Sequence, residues 1–270
     1  MKKITAVLLV ILGITSVFGQ KSDKPEFIGE NFSLEGALAM FKKSKSLEEF
    51  EKLLNQKDNN VNNLDLNNDN KIDYITVLDI HKKNTHVIVL STYLNEKEKQ
   101  DIATVGIEKI GVAEAILQIE GDKQLYAANT IVEPFDIKEI IDKSKGGPNV
   151  PEILLERILV NVWLWPCVRF IYDPDYTVWV SPYQWELYPK GWKPWKPFRH
   201  AIFVTQSAPH QIYYHKTPTH HVMAARKVYA PRRHSSNLVV QNHLEPKVVL
   251  KIKRGNIKAV KVSKKGRKYL

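Results

Sequence analysis

The sequence predicts an α+β fold: an antiparallel meander sheet with two or three helices, followed by a Trp/Pro-rich hairpin region and an irregular basic C-terminal segment. Three observations carry this. Apolar residues recur at helical spacing before residue 55 and with a period of two after residue 71. Short turn signals separate the alternating runs, which implies antiparallel neighbours rather than crossovers. Eleven aromatic residues, all six tryptophans among them, crowd into 163–195, and Pro182, Pro189, Pro194 and Pro197 keep regular elements short there.

In chain order, Leu34, Ala37, Leu38 and Phe41 mark one face of a first helix, with Ser33 as its N-cap. Ser46 and Glu49 form a capping box for a second helix carrying Leu47, Phe50, Leu53 and Leu54. Strands are expected at about 72–80, 85–94, 102–110, 114–120 and 124–132, with turns at Lys82-Lys83-Asn84 and Gly121-Asp122. Ile137, Ile140 and Ile141 suggest a closing helix that stops at Gly146-Gly147-Pro148. A short helix then starts at Pro151 with Ile153, Leu154, Ile158 and Leu159 on its apolar face. A hairpin of 167–172 and 176–180 is expected around Asp173-Pro174-Asp175. Residues 201–245 read as polar, His-rich and irregular, with strand-like pieces at AIFVTQ and QIYYH. Residues 247–270 hold ten Lys and Arg and no acid, and fit either a basic hairpin or a mobile tail.

Charge divides the chain. Residues 20–146 carry 17 lysines, no arginine and 23 acids, a balance of −6, whereas 147–270 carry 21 basic and 6 acidic residues, a balance of +15. The division this implies is an acidic α+β domain at 33–146, a helix plus aromatic region at 147–200, and a His-rich basic tail at 201–270. The 43% apolar content excludes wholesale disorder, and a single cysteine excludes an intrachain disulfide framework or a Cys-rich zinc site. Lys2 and Lys3 precede an apolar run at 4–18, and Val17 and Gly19 suit the small-residue rule, so 1–19 is expected to be an export signal cleaved before Gln20. The protein is thus expected in the periplasm or at the outer surface. No other apolar run approaches the ~20 residues of a spanning helix.

The most specific chemistry lies at 65–73, DLNNDNKID. Side-chain oxygens fall at relative positions 1, 3, 5 and 9, on Asp65, Asn67, Asp69 and Asp73, and Lys71 at position 7 offers its carbonyl. Alternating oxygens on a tight loop suit a hard cation such as calcium in a structural role. Position 6, where the chain must turn with φ > 0, holds Asn70, and Ile72 is the apolar anchor. Thr76 stands where an EF-hand has its bidentate Glu, and a strand follows, so the loop resembles the DxDxDG-type calcium loops of secreted modules. An Asn/Asp-rich turn without an ion is the alternative.

The DxNxDxxxDYI loop opening a strand, IVEP at 131–134 and WPCVRFIY–DY–VWVSP at 165–182 resemble a group of uncharacterised exported proteins of Gram-negative bacteria. The resemblance covers most of 33–200 and implies a fold and a compartment, not an activity.

Trp185, Trp192 and Trp195, interleaved with Lys193 and Lys196, suit stacking on sugar rings or seating at a membrane–water interface; packing in a small core is the alternative. Seven histidines lie in 200–243, but at spacings too irregular for a metal signature. Cys167 reads as a buried thiol, and Asp173 and Asp175 as turn residues rather than an acid–base pair. HExxH, GxSxG, GxxxxGK[ST] and GxGxxG motifs are absent. The function expected is therefore a non-enzymatic envelope-associated protein that attaches through its basic aromatic half to anionic polymer or lipid, without nucleic acid. An enzyme acting on envelope glycans and a structural component of an envelope protein complex are the rival classes.

Overall fold

The computed structural model describes residues 23–142, 152–244, 248–253 and 256–261. Helices α1 (Leu34–Lys43) and α2 (Leu47–Leu54) start where their caps require: the Ser33 hydroxyl accepts from Gly36 N–H and that of Ser46 from Glu49 N–H. The Glu49 carboxylate reaches back to Lys45 N–H. Phe41 and Phe50, one from each helix, meet edge to face at 5.2 Å.

Strands β1 (Ile75–Lys82), β2 (Thr85–Tyr93), β3 (Lys99–Gly111) and β4 (Glu114–Gly121) form the expected meander, each antiparallel to the last. β5 (Ile131–Asp142) pairs with β4 only at its start, through Ile119↔Val132 and Glu120↔Ile131. The fifth strand thus begins where 124–132 was expected to end. Residues 122–126 turn back on Asp122 instead, whose carbonyl accepts from Leu125 and Tyr126 N–H. Tyr126 fills the space a side chain on Gly29 or Gly121 would take, which explains both glycines.

Four helix–strand assignments need correction, three of them before residue 172. The closing helix at 137–141 and the helix begun at Pro151 are strands: Phe135–Asp142 of β5 pairs in register with β6 (Glu152–Leu159). Both runs are short and rich in Ile and Leu, a pattern that suits a strand as well as a helix; pairing with each other decides it. The Gly146-Gly147-Pro148 linker lies outside the described residues. Conversely, the expected strand 167–172 is helix α3 (Pro166–Ile171), with Pro166 in its first turn and Cys167, Val168 and Ile171 buried. The expected hairpin is therefore absent, and Val180 bridges to Leu78 on β1.

One face of the sheet packs on α1, α2 and α3 in a core that includes Leu38, Phe41, Phe50, Val77, Ile88, Val105, Leu117 and Val168. The opposite face carries α5 (Met223–Tyr229), whose Ala225 and Val228, with Val222 just before them at the N-cap, meet Val87 and Val89. A Cβ on Gly106 would lie 2.7 Å from that of Ala225, so the glycine permits this approach. With both faces covered, β2 is buried along nearly its whole length and loses the polar alternation of a one-sided sheet. The AIFVTQ piece is part of helix α4 (His200–Ser207) rather than a strand, and QIYYH leads into β7 (Tyr214–Thr217), which pairs with β5. A short turn of helix, α6 (Asn237–Val239), follows, and β8 (Val248–Lys253) pairs with β9 (Asn256–Lys261). Among the described residues no helix is long and apolar enough to cross a membrane.

One buried carboxylate joins three distant segments. Glu51 of α2 is 1% exposed and accepts from Ser181 Oγ–H (2.7 Å), Val77 N–H (2.9 Å), Tyr74 O–H (3.2 Å) and Trp179 Nε1–H (3.4 Å). Burial raises its pKa above the ordinary 4.5, against the opposing pull of these hydrogen bonds. Glu51→Ala should leave the donors unsatisfied and cost about 2–4 kcal/mol. Glu51→Gln keeps an acceptor for Val77 and Trp179 while the two hydroxyls reverse to receive its amide, so the cost should stay near ~1 kcal/mol. A raised folded-state pKa means that Glu51's relative stabilisation is fully present below about pH 4.5 and fades as pH rises through the folded value. Chemical denaturation from pH 4.5 to 7 should therefore show Glu51→Gln gaining on wild type as pH rises; a constant gap would contradict this account.

Candidate functional site

Residues 183–198 form a ribbon of aromatic and lysine residues beside the oxygen-rich loop 65–73. The loop hangs from buried Leu64 and Leu66, and Ile72 is buried at its far end as expected. Asn70 turns with φ 64°, the left-handed position anticipated for it, and Asn68 adopts the same value. Asp65 accepts from Asp69 and Asn70 N–H, both at 3.0 Å, and Asn67 Oδ1 accepts from Asp69 N–H at 3.1 Å. Asp69 accepts from Lys71 N–H at 2.8 Å, and Asp73 from Leu66 N–H at 2.7 Å. Burial raises Asp73 well above the ordinary carboxylate value, and the charges of Asp65 and Asp69 add to the rise. Asp65 is raised by burial too, and by Asp69. Among the described residues no three His, Cys, Asp or Glu side chains gather as metal ligands would.

The ribbon touches the loop directly. Ile72 N–H donates to the carbonyl of Trp195 at 2.8 Å. Tyr74, the residue after Asp73, is ringed by Trp192 at 4.9 Å, Tyr183 at 5.6 Å and Tyr188 at 5.7 Å. Trp192 also meets Tyr188 at 4.8 Å and Trp195 at 6.4 Å, and its Nε1–H donates to the Asn55 carbonyl at 3.1 Å. The Tyr188 phenol is raised chiefly by burial, with the charges of Asp73 and Asp69 contributing, which puts it within electrostatic reach of the loop. Trp192 and Trp195 are half-buried, while Lys190, Lys193 and Lys196 are exposed and have no ion pair among the described residues. Trp185 stands apart from these rings, in a tight turn closed by the Gln184 and Leu187 backbones with Glu186 at φ 58°. The structure thus brings together Trp192, Lys193, Trp195 and Lys196 with Asp73 and leaves Trp185 at a tip.

The remaining candidates disperse. His215 and His221 converge on the buried Glu133, at 3.5 and 2.8 Å. His200 contacts Asn31, His210 the Asn59 carbonyl and His243 the Leu66 carbonyl. His220 lies against Glu120 and His234 against Asp101. Cys167 is fully buried, and burial pushes its thiol up to about 12, which removes the thiolate that nucleophilic chemistry needs. Asp173 accepts from Asp175 N–H in the expected turn.

A buried polar cluster escaped sequence reasoning. Asp79 Oδ2 accepts from His86 Nδ1 at 2.8 Å and from Tyr176 O–H at 3.0 Å, and His81 stacks on His86 at 4.1 Å. A signal for it existed: Asp79 and His86 are polar residues on the core-facing parity of their strands. No family model matches this chain, and neither a curated protein nor a solved structure matches it.

Anchored and tip tryptophans should respond differently to truncation. Trp192→Ala removes a ring wedged among three others together with a hydrogen bond, and should cost about 2 kcal/mol. Trp185→Ala should cost under about 1 kcal/mol. Urea titration of both variants checks this, and equal losses would contradict the packing described.

Proposed function

We propose that this chain is an exported, non-enzymatic binding protein of the Gram-negative envelope, attaching through its ribbon to a surface rich in phosphate or carboxylate groups. The carrying observation is the alternation of half-buried rings at 188, 192 and 195 with exposed lysines at 190, 193 and 196 that lack partners. Rings packed on Tyr74 fix the ribbon backbone, so little backbone freedom is lost on binding. Leu187, 53% exposed, adds apolar surface beside Trp185, which suits peripheral contact with lipid or a sugar face. The ten basic residues of 247–270 supply further attraction, at about 1 kcal/mol for each one near an anionic surface.

Within this reading, loop 65–73 takes a structural calcium ion through Asp65, Asn67, Asp69, Asp73 and the Lys71 carbonyl. Asp65 and Asp73, raised by burial with the charge of Asp69 adding to the rise, and a left-handed Asn70 fit that donor set. The ion would neutralise the loop and, through Ile72 and Trp195, steady the ribbon.

The attachment is tested by sedimenting the mature full chain with isolated Gram-negative envelopes. It should pellet at low salt and be released by high salt. Lys193→Glu with Lys196→Glu should weaken pelleting by at least about 2 kcal/mol, roughly thirtyfold. Pelleting that ignores both salt and these substitutions would overturn the reading. For the loop, 5 mM calcium against chelator should add about 1–2 kcal/mol, or roughly 3–8 °C in Tm, if affinity lies in the ~10⁻⁴–10⁻³ M range of extracellular sites. The gain should vanish in Asp69→Ala; equal Tm values with and without calcium in wild type would remove the ion from the proposal.

A further inference from the structure

We infer that the groove between the α5 face of the sheet and residues 231–234 binds a small amphiphile with an anionic head and an apolar stem. The groove is a cavity of about 500 Å³ and shares no residue with the ribbon. That volume lies within the ~300–1,000 Å³ range of small-ligand sites. Its floor is Leu78 and Ile80 of β1 and Val89 of β2. Val89 is buried and fixed by the core, whereas Leu78 and Ile80 are half-buried, so part of the apolar floor is open to the groove. Lys99 of β3 and Arg232, Arg233 and His234 of the segment after α5 stand round it.

The basic rim is held in place. Fully buried Asp101 accepts from the Ser91 hydroxyl at 2.7 Å, the Tyr229 hydroxyl at 2.8 Å and His234 N–H at 2.7 Å. Its own N–H donates to the His234 carbonyl at 3.1 Å, so the rim segment is tied to β3 in both directions. Arg233 is clamped on Asp122 through two nitrogens and on Gln124 at 3.2 Å. One nitrogen of Arg232 donates to the Val228 carbonyl at 2.7 Å, and the Lys99 ammonium lies 4.9 Å from the centre of the Tyr93 ring. Cations positioned before a ligand arrives lose little freedom when it binds.

The charge balance of the lining selects the ligand. Its cations are Lys99, Arg232 and Arg233, and its one acid is Asp101. Arg233 is closed on Asp122, outside the groove. Asp101 already takes three donors and has His234 Nδ1 3.8 Å away, so it offers little to an incoming cation. Glu98, next to Lys99 in sequence, bonds the Ser236 hydroxyl. Lys99 and Arg232 have no ion pair among the described residues. Burial lowers the Lys99 pKa while the charge of Asp101 opposes the fall; an anionic head would oppose it further. The guanidinium fork and the ammonium both suit a carboxylate or a phosphate monoester, and the floor suits a short hydrocarbon stem.

The test uses the full mature chain with octanoate, octyl phosphate, octanol and octylammonium, and with acetate as a head without a stem. In calorimetric titrations at least one of the two octyl anions should bind about tenfold or more tightly than octanol, octylammonium and acetate. The tighter of the two anions identifies the head group. Amide chemical-shift changes should centre on Leu78, Val89, Lys99 and His234. Lys99→Met with Arg232→Met keeps much of both stems and removes both charges, and should weaken the better anion by about tenfold or more. Absence of binding by both anions, equal affinity for octanol, octylammonium or acetate, or shifts centred on the ribbon or elsewhere would each overturn the inference. So would undiminished binding by the double variant. If that variant fails to fold, Arg232→Met alone, at an exposed position, takes its place: a loss of about threefold or more is expected, and unchanged affinity would overturn the inference.

Discussion

The structure turns on the problem of burying one charge. Glu51 places a carboxylate beneath the first strand, where its desolvation is tolerable only because four donors converge on it. Those donors come from the β1 backbone, from Tyr74 just before it, and from Trp179 and Ser181 a hundred residues later. Satisfying the charge therefore fixes where the aromatic segment must lie. Once there, that segment covers the outer edge of β1: Asp79 N–H donates to the Trp179 carbonyl, and Ser181 N–H to that of Val77. An exposed sheet edge, which would otherwise invite pairing with another chain, is closed by the same residues. Tyr74 carries the constraint outward, since its hydroxyl binds Glu51 while its ring seats Trp192 and Tyr188.

The charge asymmetry along the chain acquires a second meaning in three dimensions. Arginines from the basic half pair with acids of β4 and the turn after it: Arg226 with Glu120 at 3.0 Å, and Arg233 with Asp122 through two guanidinium nitrogens. His221 bonds Glu133 beside them. Part of the positive charge is thus spent on folding one half against the other. The planar guanidinium suits such fixed, bidentate pairing, whereas the ribbon uses lysine, a mobile point charge better matched to a heterogeneous surface. The division of labour between the two cations separates charge used in folding from charge that has no ion pair among the described residues.

How much of this was legible in the sequence depends on how local the cause is. The caps at Ser33 and Ser46, the meander from Ile75 to Gly121 and the left-handed Asn70 each follow from residues within a few positions, and each is where the pattern puts it. Ile137–Ile141 and Ile153–Leu159 were misassigned because runs this short satisfy both periods, and only their mutual pairing chooses. The stretch at 166–171 carries strand-like residues, yet Pro166 starts a helix and the buried face of Cys167, Val168 and Ile171 keeps it. The role of Glu51 was invisible for a different reason. It is an ordinary helix residue by composition, and what distinguishes it is that distant segments bring it four donors. Donor count is a tertiary quantity, and no window of sequence contains it.

The contact between loop and ribbon gives the proposed calcium ion two distinct ways to act. The first is mechanical, through the Ile72–Trp195 hydrogen bond, which ties loop conformation to the ribbon backbone. The second is electrostatic. Burial chiefly raises the Tyr188 phenol, and the charges of Asp73, Glu186 and Asp69 add to the rise, so Lys190 and Lys193, two and five residues along the ribbon, start from a neighbourhood with negative charge in it. Carboxylates so placed oppose attachment to an anionic surface, and a divalent cation among them reverses that opposition. The two routes differ in their response to salt: screening weakens the second over roughly 8–10 Å at ordinary ionic strength but leaves a hydrogen bond in place. Calcium dependence that persists at high salt would therefore belong to the backbone link, and calcium dependence confined to low salt to the field. The geometry makes the distinction meaningful, because one amide and one pair of carboxylates on a nine-residue loop serve the two routes separately.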